Sequence, residues 1–165
     1  FETLKKQGKI RWYGISSIRP NVIREYVQRS NIVSVMMQYS LLDRRPEEEA
    51  LNLLQQHGIG VLARGSVASG LLVNKPPRPY LNYAAEEVKK AAAAVQSVST
   101  GERGSAQTSI RFVLRQPAIS AAVVGVRTLK QLEEALQTNQ TKSLTEEELN
   151  MLNQSIPVNR YEQHR

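Results

Sequence analysis

Residues 121–136, AAVVGVRTLKQLEEAL, contain the pattern that decides the fold: an apolar run, a short polar turn and an amphipathic segment. The run of alanines and valines is typical of a buried strand, and Gly125 ends it. Thr128 then stands at a helix N-cap position, and the leucines after it are spaced to share one helix face. This stretch predicts a strand, a turn and a helix in that order.

The same order of strand, turn and helix occurs three times upstream. The predicted strands are residues 10–15, 32–37, 59–63 and 121–124. The predicted helices are residues 19–29, 46–57, 84–98, 105–115 and 129–136. A last helix follows the capping-box pair Thr145 and Glu148 and ends before Pro157, and the polar tail 159–165 is expected to be mobile.

Alternating strands and helices, with nearly continuous apolar strands, indicate an α/β fold with a parallel sheet covered by helices. Two architectures remain open on this pattern alone. One is a doubly wound sheet. The other is half of a (β/α)8 barrel, because four βα units in about 150 residues are close to half of a typical barrel of roughly 250.

Composition excludes several classes of protein. The 165 residues are 41% hydrophobic and 22% charged, which predicts one globular domain rather than a disordered chain. The absence of cysteine excludes disulfides and cysteine nucleophiles, and the two histidines are not at metal-ligand spacing, so we expect no metal site. With no apolar segment of spanning length and no signal-peptide pattern, we expect a cytoplasmic protein without a membrane partner.

The net charge of +7 and the pI of about 9.9 are compatible with two kinds of anionic partner. One is nucleic acid and the other is a phosphate-bearing dinucleotide, and charge alone does not decide between them. The basic residues are dispersed, and no basic patch with interleaved aromatic residues is present. We therefore expect no nucleic-acid partner.

Functional residues are expected where the strands end, because the carboxyl ends of parallel strands meet at the ligand-binding edge of either architecture. The polar segments at these ends are Ser16 with Ser17, Gln38 with Tyr39, Arg64 to Ser66 with Ser69 and Gly70, and Gly125 to Thr128. In the last segment Gly125 permits close backbone approach, Arg127 can bind a phosphate, and Thr128 caps a helix N-terminus. These features outline a phosphate site, with an ordinary turn and a solvated arginine as the alternative.

Four segments together resemble one enzyme family. GKIRWYGISS at 8–17, MMQYSLLDR at 36–44, GVLARGSVASGLL at 60–72 and the stretch at 121–136 are similar to strands five to eight of an aldo-keto reductase, in the same order and spacing. The resemblance covers nearly the whole chain. It implies the C-terminal half of a (β/α)8 TIM barrel, in which residues 1–9 end a preceding helix and 145–165 form the C-terminal helix and tail.

The resemblance implies NADPH as cofactor and assigns residues to each part of it. Ser16, Ser17 and Gln38 would hold the nicotinamide carboxamide, with Ser17 where the family usually has Asn. Arg64 stands where many members have a tyrosine stacked on the nicotinamide ring, and a guanidinium plane can also stack. The implied pyrophosphate loop consists of Gly65, Ser66, Val67, Ser69, Gly70 and Leu71.

The implied cofactor residues after the fourth strand are Gly125, Val126, Arg127, Thr128, Gln131 and Glu134. Among them, Arg127 and Thr128 would hold the adenosine 2′-phosphate, and the charge of Arg127 favours NADPH over NADH. Gln131 and Glu134 would lie near the adenine. Ala135 replaces an asparagine that is frequent in the family, which weakens the adenine contact.

The family reduces aldehydes and ketones by hydride transfer from NADPH, with a tyrosine acid supported by lysine, aspartate and histidine. Those four residues belong to the first four strands, and none of their motifs occurs in this sequence. The resemblance therefore implies an oxidoreductase whose catalytic half is proteolysed, disordered or on another chain, so that the 165 residues alone are inactive. The alternative is a noncatalytic NADPH-binding sensor or subunit on the same scaffold.

Overall fold

The computed structural model describes residues 1–164 and contains one four-stranded parallel sheet. Its strands are β1 Gly14–Ser16, β2 Ser34–Gln38, β3 Gly60–Arg64 and β4 Ile119–Val123. They lie in the order β1-β2-β3-β4, so each strand is added beside the previous one. This order lacks the reversal that defines a doubly wound sheet and is the strand order of a (β/α)8 barrel.

One helix precedes the first strand, and the others connect the strands or follow the last one. They are α1 Glu2–Lys6, α2 Pro20–Arg29, α3 Ala50–Gln56, α4 Ala85–Val98, α5 Ser105–Leu114, α6 Leu129–Gln137 and α7 Glu146–Gln154. Helix α3 packs against α2 and β3, α5 against β4, and α4 against α5 and α7. Within residues 1–164, no helix combines the length and the apolar character that crossing a bilayer requires.

The two faces of the sheet differ in burial, as expected when side chains alternate along a strand. Val35, Met37 and Val61 are fully buried and share one core with the helix residues Ile23 and Phe112. The positions between them along each strand are less buried; in β2 these are Ser34, Met36 and Gln38, which are partly exposed. One face of the sheet is therefore covered by helices, and the other is open within the described chain.

Neighbouring strands approach closely where small residues face each other. Gly14 is in register with Ser34, and Ser34 with Gly60. A Cβ atom added at Gly14 would lie 2.4 Å from the carbonyl oxygen of Ser34, and one added at Gly60 would lie 2.4 Å from Oγ of Ser120. These positions leave no room for a larger side chain in the observed backbone.

The first strand is shorter than predicted. Pairing begins at Gly14 with Ser34, so residues 10–13 precede the point at which β2 offers a partner. Trp12 in this segment is 64% exposed, and the Lys5 ammonium lies 4.5 Å from the centroid of its ring. The prediction of a strand over 10–15 is wrong for its first four residues, since β propensity without a neighbouring strand does not form a sheet.

The predicted helix over 46–57 is divided into a 3-10 turn, Arg45–Glu48, and α3. The division falls at Glu49, whose backbone angles of φ −154° and ψ −48° are not helical. Glu47 in the 3-10 turn accepts a 2.6 Å hydrogen bond from the Tyr39 hydroxyl and a bidentate bond from Arg44. These tertiary contacts outweigh the local preference for one continuous helix.

The C-terminal tail is docked on the fold. Asn159 is 3% exposed and accepts a 2.9 Å hydrogen bond from the backbone of Arg44, while Tyr161 is 7% exposed. The guanidinium of Arg45 lies 5.0 Å from the centroid of the Tyr161 ring. The prediction of a mobile tail is wrong for these two residues, because both find buried partners; Arg165 lies outside the described residues.

Two predicted helix caps are confirmed. Oγ1 of Thr145 accepts from the backbone of Glu148 at 3.2 Å, and the Glu148 carboxylate accepts from the backbone of Thr145 at 2.8 Å. Oγ1 of Thr128 accepts from the backbone of Gln131 at 3.2 Å. The chain therefore begins α6 and α7 where the sequence predicts.

Candidate functional site

The strands end along one edge of the sheet, and polar residues stand there. Ser16, Gln38 and Arg64 are the last residues of β1, β2 and β3. In the strand register Gln38 is opposite Arg64, and Arg64 is opposite Val123 at the end of β4. The segments singled out in the sequence are thus brought to the edge at which parallel α/β folds bind ligands.

Three side chains form a hydrogen-bonded row at this edge. Nη1 of Arg64 donates to Oε1 of Gln38 at 3.0 Å, and Nε2 of Gln38 donates to the Tyr80 hydroxyl at 2.9 Å. Burial raises the pKa of the Tyr80 hydroxyl above its ordinary value of 10.0, and the negative charge of Asp43 adds to the effect. The Tyr80 phenol is therefore protonated at neutral pH.

Tyr80 is a residue that the sequence analysis missed. It belongs to the long segment between β3 and α4, and loops of this length are often functional. Tyr80 and Tyr83 exchange two backbone hydrogen bonds of 3.1 and 3.0 Å, and the Tyr83 hydroxyl donates to the carbonyl of Pro157 at 2.6 Å. The docked C-terminal segment thus fixes the turn that carries Tyr80.

The two serines after β1 lie beside an open groove of about 580 Å³, which Arg64 and Tyr26 also line. Oγ of Ser17 accepts a 3.1 Å hydrogen bond from the backbone of Arg19, so this acceptor is used locally. Ser16 is exposed. Both hydroxyl protons can be donated to a ligand at the end of β1.

The loop after β3 combines a glycine turn with a buried hydroxyl. Gly65 has φ +77°, and a Cβ atom added there would lie 3.3 Å from Cγ of Gln38. Ser66 is 2% exposed, and its Oγ has no hydrogen-bond partner among residues 1–164. A buried hydroxyl without a partner is costly in a folded protein, so this atom calls for a polar ligand or water.

The rest of this loop divides between surface and core. Val67 is partly buried, and the 3-10 turn Ala68–Gly70 follows it, with Ser69 exposed at φ +58°. Leu71 is 1% exposed and belongs to the core. A ligand over the loop can therefore reach the backbone and Ser69, whereas the side chain of Leu71 serves packing.

The turn after β4 is exposed from Gly125 through Thr128, with Val126 and Arg127 between them. The backbone N–H of Arg127 donates to Oε1 of Gln131 at 2.8 Å, so the Gln131 side chain is held against the turn. Within the described residues, the Arg127 guanidinium forms no ion pair. The turn therefore offers a free cation beside a capped helix N-terminus, which suits an anion.

Glu134 is partly buried and lies on α6, about one helical turn after Gln131. Its carboxylate lies close to the first turn of α5, because a Cβ atom added at Gly104 would lie 3.1 Å from its Oε1. No hydrogen bond among residues 1–164 connects the turn after β4 with the row of Gln38 and Arg64. The structure thus places the two parts of the predicted site at the same edge but separately.

Buried acidic groups near this edge are already paired. Asp43, whose side chain is 1% exposed, accepts from Arg45 at 2.7 and 2.8 Å, and Glu47 is held by Arg44. No group of histidine, aspartate and glutamate side chains in the described chain is arranged to hold a metal ion. The polar side chains described at this edge include amide, hydroxyl and guanidinium groups.

Comparison with known proteins gives consistent matches. The family model described as "Aldo/keto reductase family" matches residues 1–157. The uncharacterized oxidoreductase YqkF of Bacillus subtilis is 46% identical over 174 residues, covering 100% of this chain and 56% of that protein. The NADH-specific methylglyoxal reductase of Escherichia coli is 37% identical over 78 residues, covering 47% of this chain and 24% of that protein.

Among solved structures, the holo form of aldo-keto reductase AKR11C1 from Bacillus halodurans superposes with a TM-score of 0.90 and 42% identity. The superposition covers 100% of this chain and 57% of that one. The chain thus spans little more than half the length of the relatives it matches. Sequence, strand order and superposition agree, and the chain belongs to the aldo/keto reductase family.

Proposed function

We propose that this chain is the C-terminal, cofactor-binding half of an aldo-keto reductase that reduces aldehydes or ketones with NADPH. The observation that carries the proposal is the row of polar strand ends, in which Gln38 and Arg64 are hydrogen-bonded beside the serines of β1. An amide, hydroxyl groups and a planar cation in this arrangement can hold a carboxamide on an aromatic ring. When bound, the dinucleotide supplies the hydride.

The nicotinamide would lie at β1 and β2. Ser16 and Ser17 would donate their hydroxyl protons to the carboxamide, and Gln38 would pair with it through the amide sites that its protein partners leave free. The Arg64 guanidinium would lie against the ring, with its orientation set by Gln38. Arg64 then fixes the ring and also keeps positive charge at the mouth of the site.

The residues after β3 and β4 fit the phosphates of a dinucleotide. Ser66 carries a buried hydroxyl without a partner in the described chain, and Gly65 brings the backbone next to Gln38. Arg127 and Thr128 combine an unpaired cation with a helix N-terminus, which favours the 2′-phosphate of NADPH. The protein residues thus supply donors for the carboxamide, the pyrophosphate and the 2′-phosphate.

The rest of the barrel is the second part of the proposal. The chain covers 56% of its Bacillus subtilis relative, and β1 and β4 are the outermost strands of the sheet. Leu129 and Leu136 on α6, the helix that follows β4, are 70% and 66% exposed. An N-terminal half-barrel would pair with both outer strands, cover this apolar surface and supply the tyrosine that protonates the carbonyl, so residues 1–165 alone would be inactive.

The test is fluorescence titration of NADPH and of NADH into the complete natural protein and its Arg127→Ala variant. We expect the variant to raise the Kd for NADPH by about tenfold or more, because a charge-assisted contact to phosphate contributes about 1.5–3 kcal/mol. The Kd for NADH, which has no 2′-phosphate, should stay unchanged. The matched control is Arg29→Ala, an exposed arginine at the end of α2 that pairs with Glu25.

Binding of NADPH by the wild type, with a selective loss in Arg127→Ala, supports the proposal. The assignment of NADPH would be contradicted if the wild type bound NADPH and NADH with equal affinity and Arg127→Ala changed neither Kd. A folded wild-type protein that binds neither dinucleotide would contradict the proposed function itself.

A further inference from the structure

We propose that Tyr80 is a nicotinamide-positioning residue, which acts by fixing the orientation of the Gln38 amide. The inference rests on the proposed function, because it concerns the same nicotinamide site. It adds a residue from the segment between the implied pyrophosphate loop, which ends at Leu71, and α4, and this segment carries none of the motifs found at the strand ends.

The hydrogen bonds define which way the amide of Gln38 is turned. Its oxygen faces the Arg64 guanidinium at 3.0 Å, and its nitrogen faces the Tyr80 hydroxyl at 2.9 Å. An arginine can only donate, so it selects the oxygen of the amide. The Tyr80 hydroxyl, which can donate or accept, accepts from the nitrogen and so holds the other side of the amide in the orientation that Arg64 selects.

This orientation leaves one N–H and one lone pair of Gln38 free. A nicotinamide carboxamide can use both, since its oxygen accepts and its NH₂ group donates. With Arg64 alone the amide of Gln38 would keep rotational freedom, and ordering it on binding would reduce the affinity. The Tyr80 hydroxyl removes that freedom before the cofactor arrives.

Tyr80 can serve this purpose because it is itself held in place. Its backbone pairs with Tyr83, whose hydroxyl donates to the carbonyl of Pro157, and the amide of Asn159 reaches Asn82 in the same turn at 3.4 Å. The Tyr80 ring packs on the core. Its phenol is neutral at physiological pH, since burial raises its pKa, and it therefore stays a hydrogen-bonding group rather than a charge.

The experiment measures binding of two ligands to the complete natural protein. NADPH carries the nicotinamide, whereas adenosine 2′,5′-bisphosphate occupies the 2′-phosphate site without it. Tyr80→Phe removes the hydroxyl and keeps the ring. Tyr13→Phe is the matched control, because it removes a tyrosine hydroxyl that donates to Glu2 before the start of β1 and does not touch Gln38 or the turn that carries Tyr80.

We expect Tyr80→Phe to raise the Kd for NADPH about three- to tenfold, in the range of one neutral hydrogen bond, and to leave the bisphosphate unaffected. Tyr13→Phe should change neither Kd. No effect of Tyr80→Phe on NADPH, an equal loss for both ligands, or an equal loss in Tyr13→Phe would each overturn the inference. Wild-type protein that binds neither ligand would instead overturn the proposed function.

A double-mutant comparison tests whether Tyr80 acts through Gln38. In a Gln38→Met background there is no amide to orient, so adding Tyr80→Phe should cause no further loss of NADPH affinity. An additional three- to tenfold loss, about what the single variant gives, would show that Tyr80 acts in another way and overturn the inference. This comparison uses two folded variants and remains decisive if Tyr80→Phe alone lowers stability.

Discussion

Arg103 is 4% exposed, and its guanidinium is surrounded by acceptors. It donates to the carbonyls of Val98 at 3.0 Å and of Lys142 at 3.2 Å, and it pairs with the carboxylate of Glu148. These bonds connect the end of α4 with the segment before α7. The bonds of this one side chain thus add to the packing of α4 against α7.

Glu148 makes this connection dependent on pH. Burial alone would raise its pKa, but the backbone N–H of Thr145 and the Arg103 guanidinium outweigh burial and hold the pKa below its ordinary value of 4.5. The carboxylate is therefore more acidic in the folded than in the unfolded protein. Its contribution to stability is fully present above pH 4.5 and is lost as the pH falls through the lower, folded-state pKa.

We predict that Glu148→Gln lowers the free energy of unfolding by about 1–3 kcal/mol at pH 7, since a charge-assisted contact to buried Arg103 is lost. The difference between variant and wild type should shrink as the pH is lowered below 4.5. Urea unfolding at several pH values measures it. Glu146→Gln, which changes an exposed charge in the same first turn, is the control. A difference that does not vary with pH would contradict the prediction.

At the scale of elements, α6 and α7 offer a matched pair of caps. Each begins at a threonine whose hydroxyl accepts from a backbone N–H at 3.2 Å. Only the cap of α6 lies at the ligand-binding edge, directly after Arg127. Comparing variants of the two caps therefore separates the effect of a cap on helix stability from its effect on ligand binding.

We predict that Thr128→Ala and Thr145→Ala each lower the free energy of unfolding by about 1 kcal/mol. Thr128→Ala should also weaken NADPH binding several-fold, because a frayed first turn presents a poorer anion site. Denaturant unfolding and dinucleotide titration of both variants measure these effects. Equal loss of NADPH affinity in both variants would show that the first turn of α6 has no special role.

The caps and three of the four strands were predictable because their determinants are local. An N-cap hydroxyl and an apolar run act within a few residues, and β2, β3 and β4 lie within two residues of their predicted bounds. Two predictions were wrong for a common reason: the early start of β1 and the continuous helix from Pro46. Each depended on a partner outside the predicted element, namely Ser34 for the strand and Tyr39 for Glu47.

The candidate site divides in the same way. Gln38 and Arg64 could be found because strand ends are recognisable and parallel strands bring them together, as the strand register confirms. Tyr80 could not be found, because it reaches Gln38 through a turn fixed by Pro157, more than seventy residues away. A sequence pattern contains no information on such a turn beyond the length of the loop.

At the scale of the whole molecule, an apolar stripe on α6 stands out. Leu129, Leu132 and Leu136 are 70%, 41% and 66% exposed, and their spacing puts them on one side of the helix. Monomeric proteins seldom leave such a stripe in water. Together with the outer strand β4, it forms the surface that the proposed N-terminal half-barrel would cover.

We predict that the double variant Leu129→Lys and Leu136→Lys lowers the free energy of unfolding of the complete protein by about 2–4 kcal/mol, because unpaired charges become buried. When residues 1–165 are expressed alone, the double variant should reduce light scattering and should not lower the free energy of unfolding. Met151→Lys, at a 51% exposed position of α7, is the control and should change little in either context. If the double variant lowers the free energy of unfolding of the complete protein no more than Met151→Lys does, the stripe is not buried in that protein.

The close strand contacts at Gly14 and Gly60 bear on laboratory evolution of this scaffold. The obstacle at position 14 is a backbone oxygen of Ser34, which no exchange of side chains removes, so a library should keep glycine there. The obstacle at position 60 is the Oγ of Ser120, which alanine at 120 would take away. A library should therefore vary positions 60 and 120 together, so that a larger residue at 60 can be combined with a smaller one at 120.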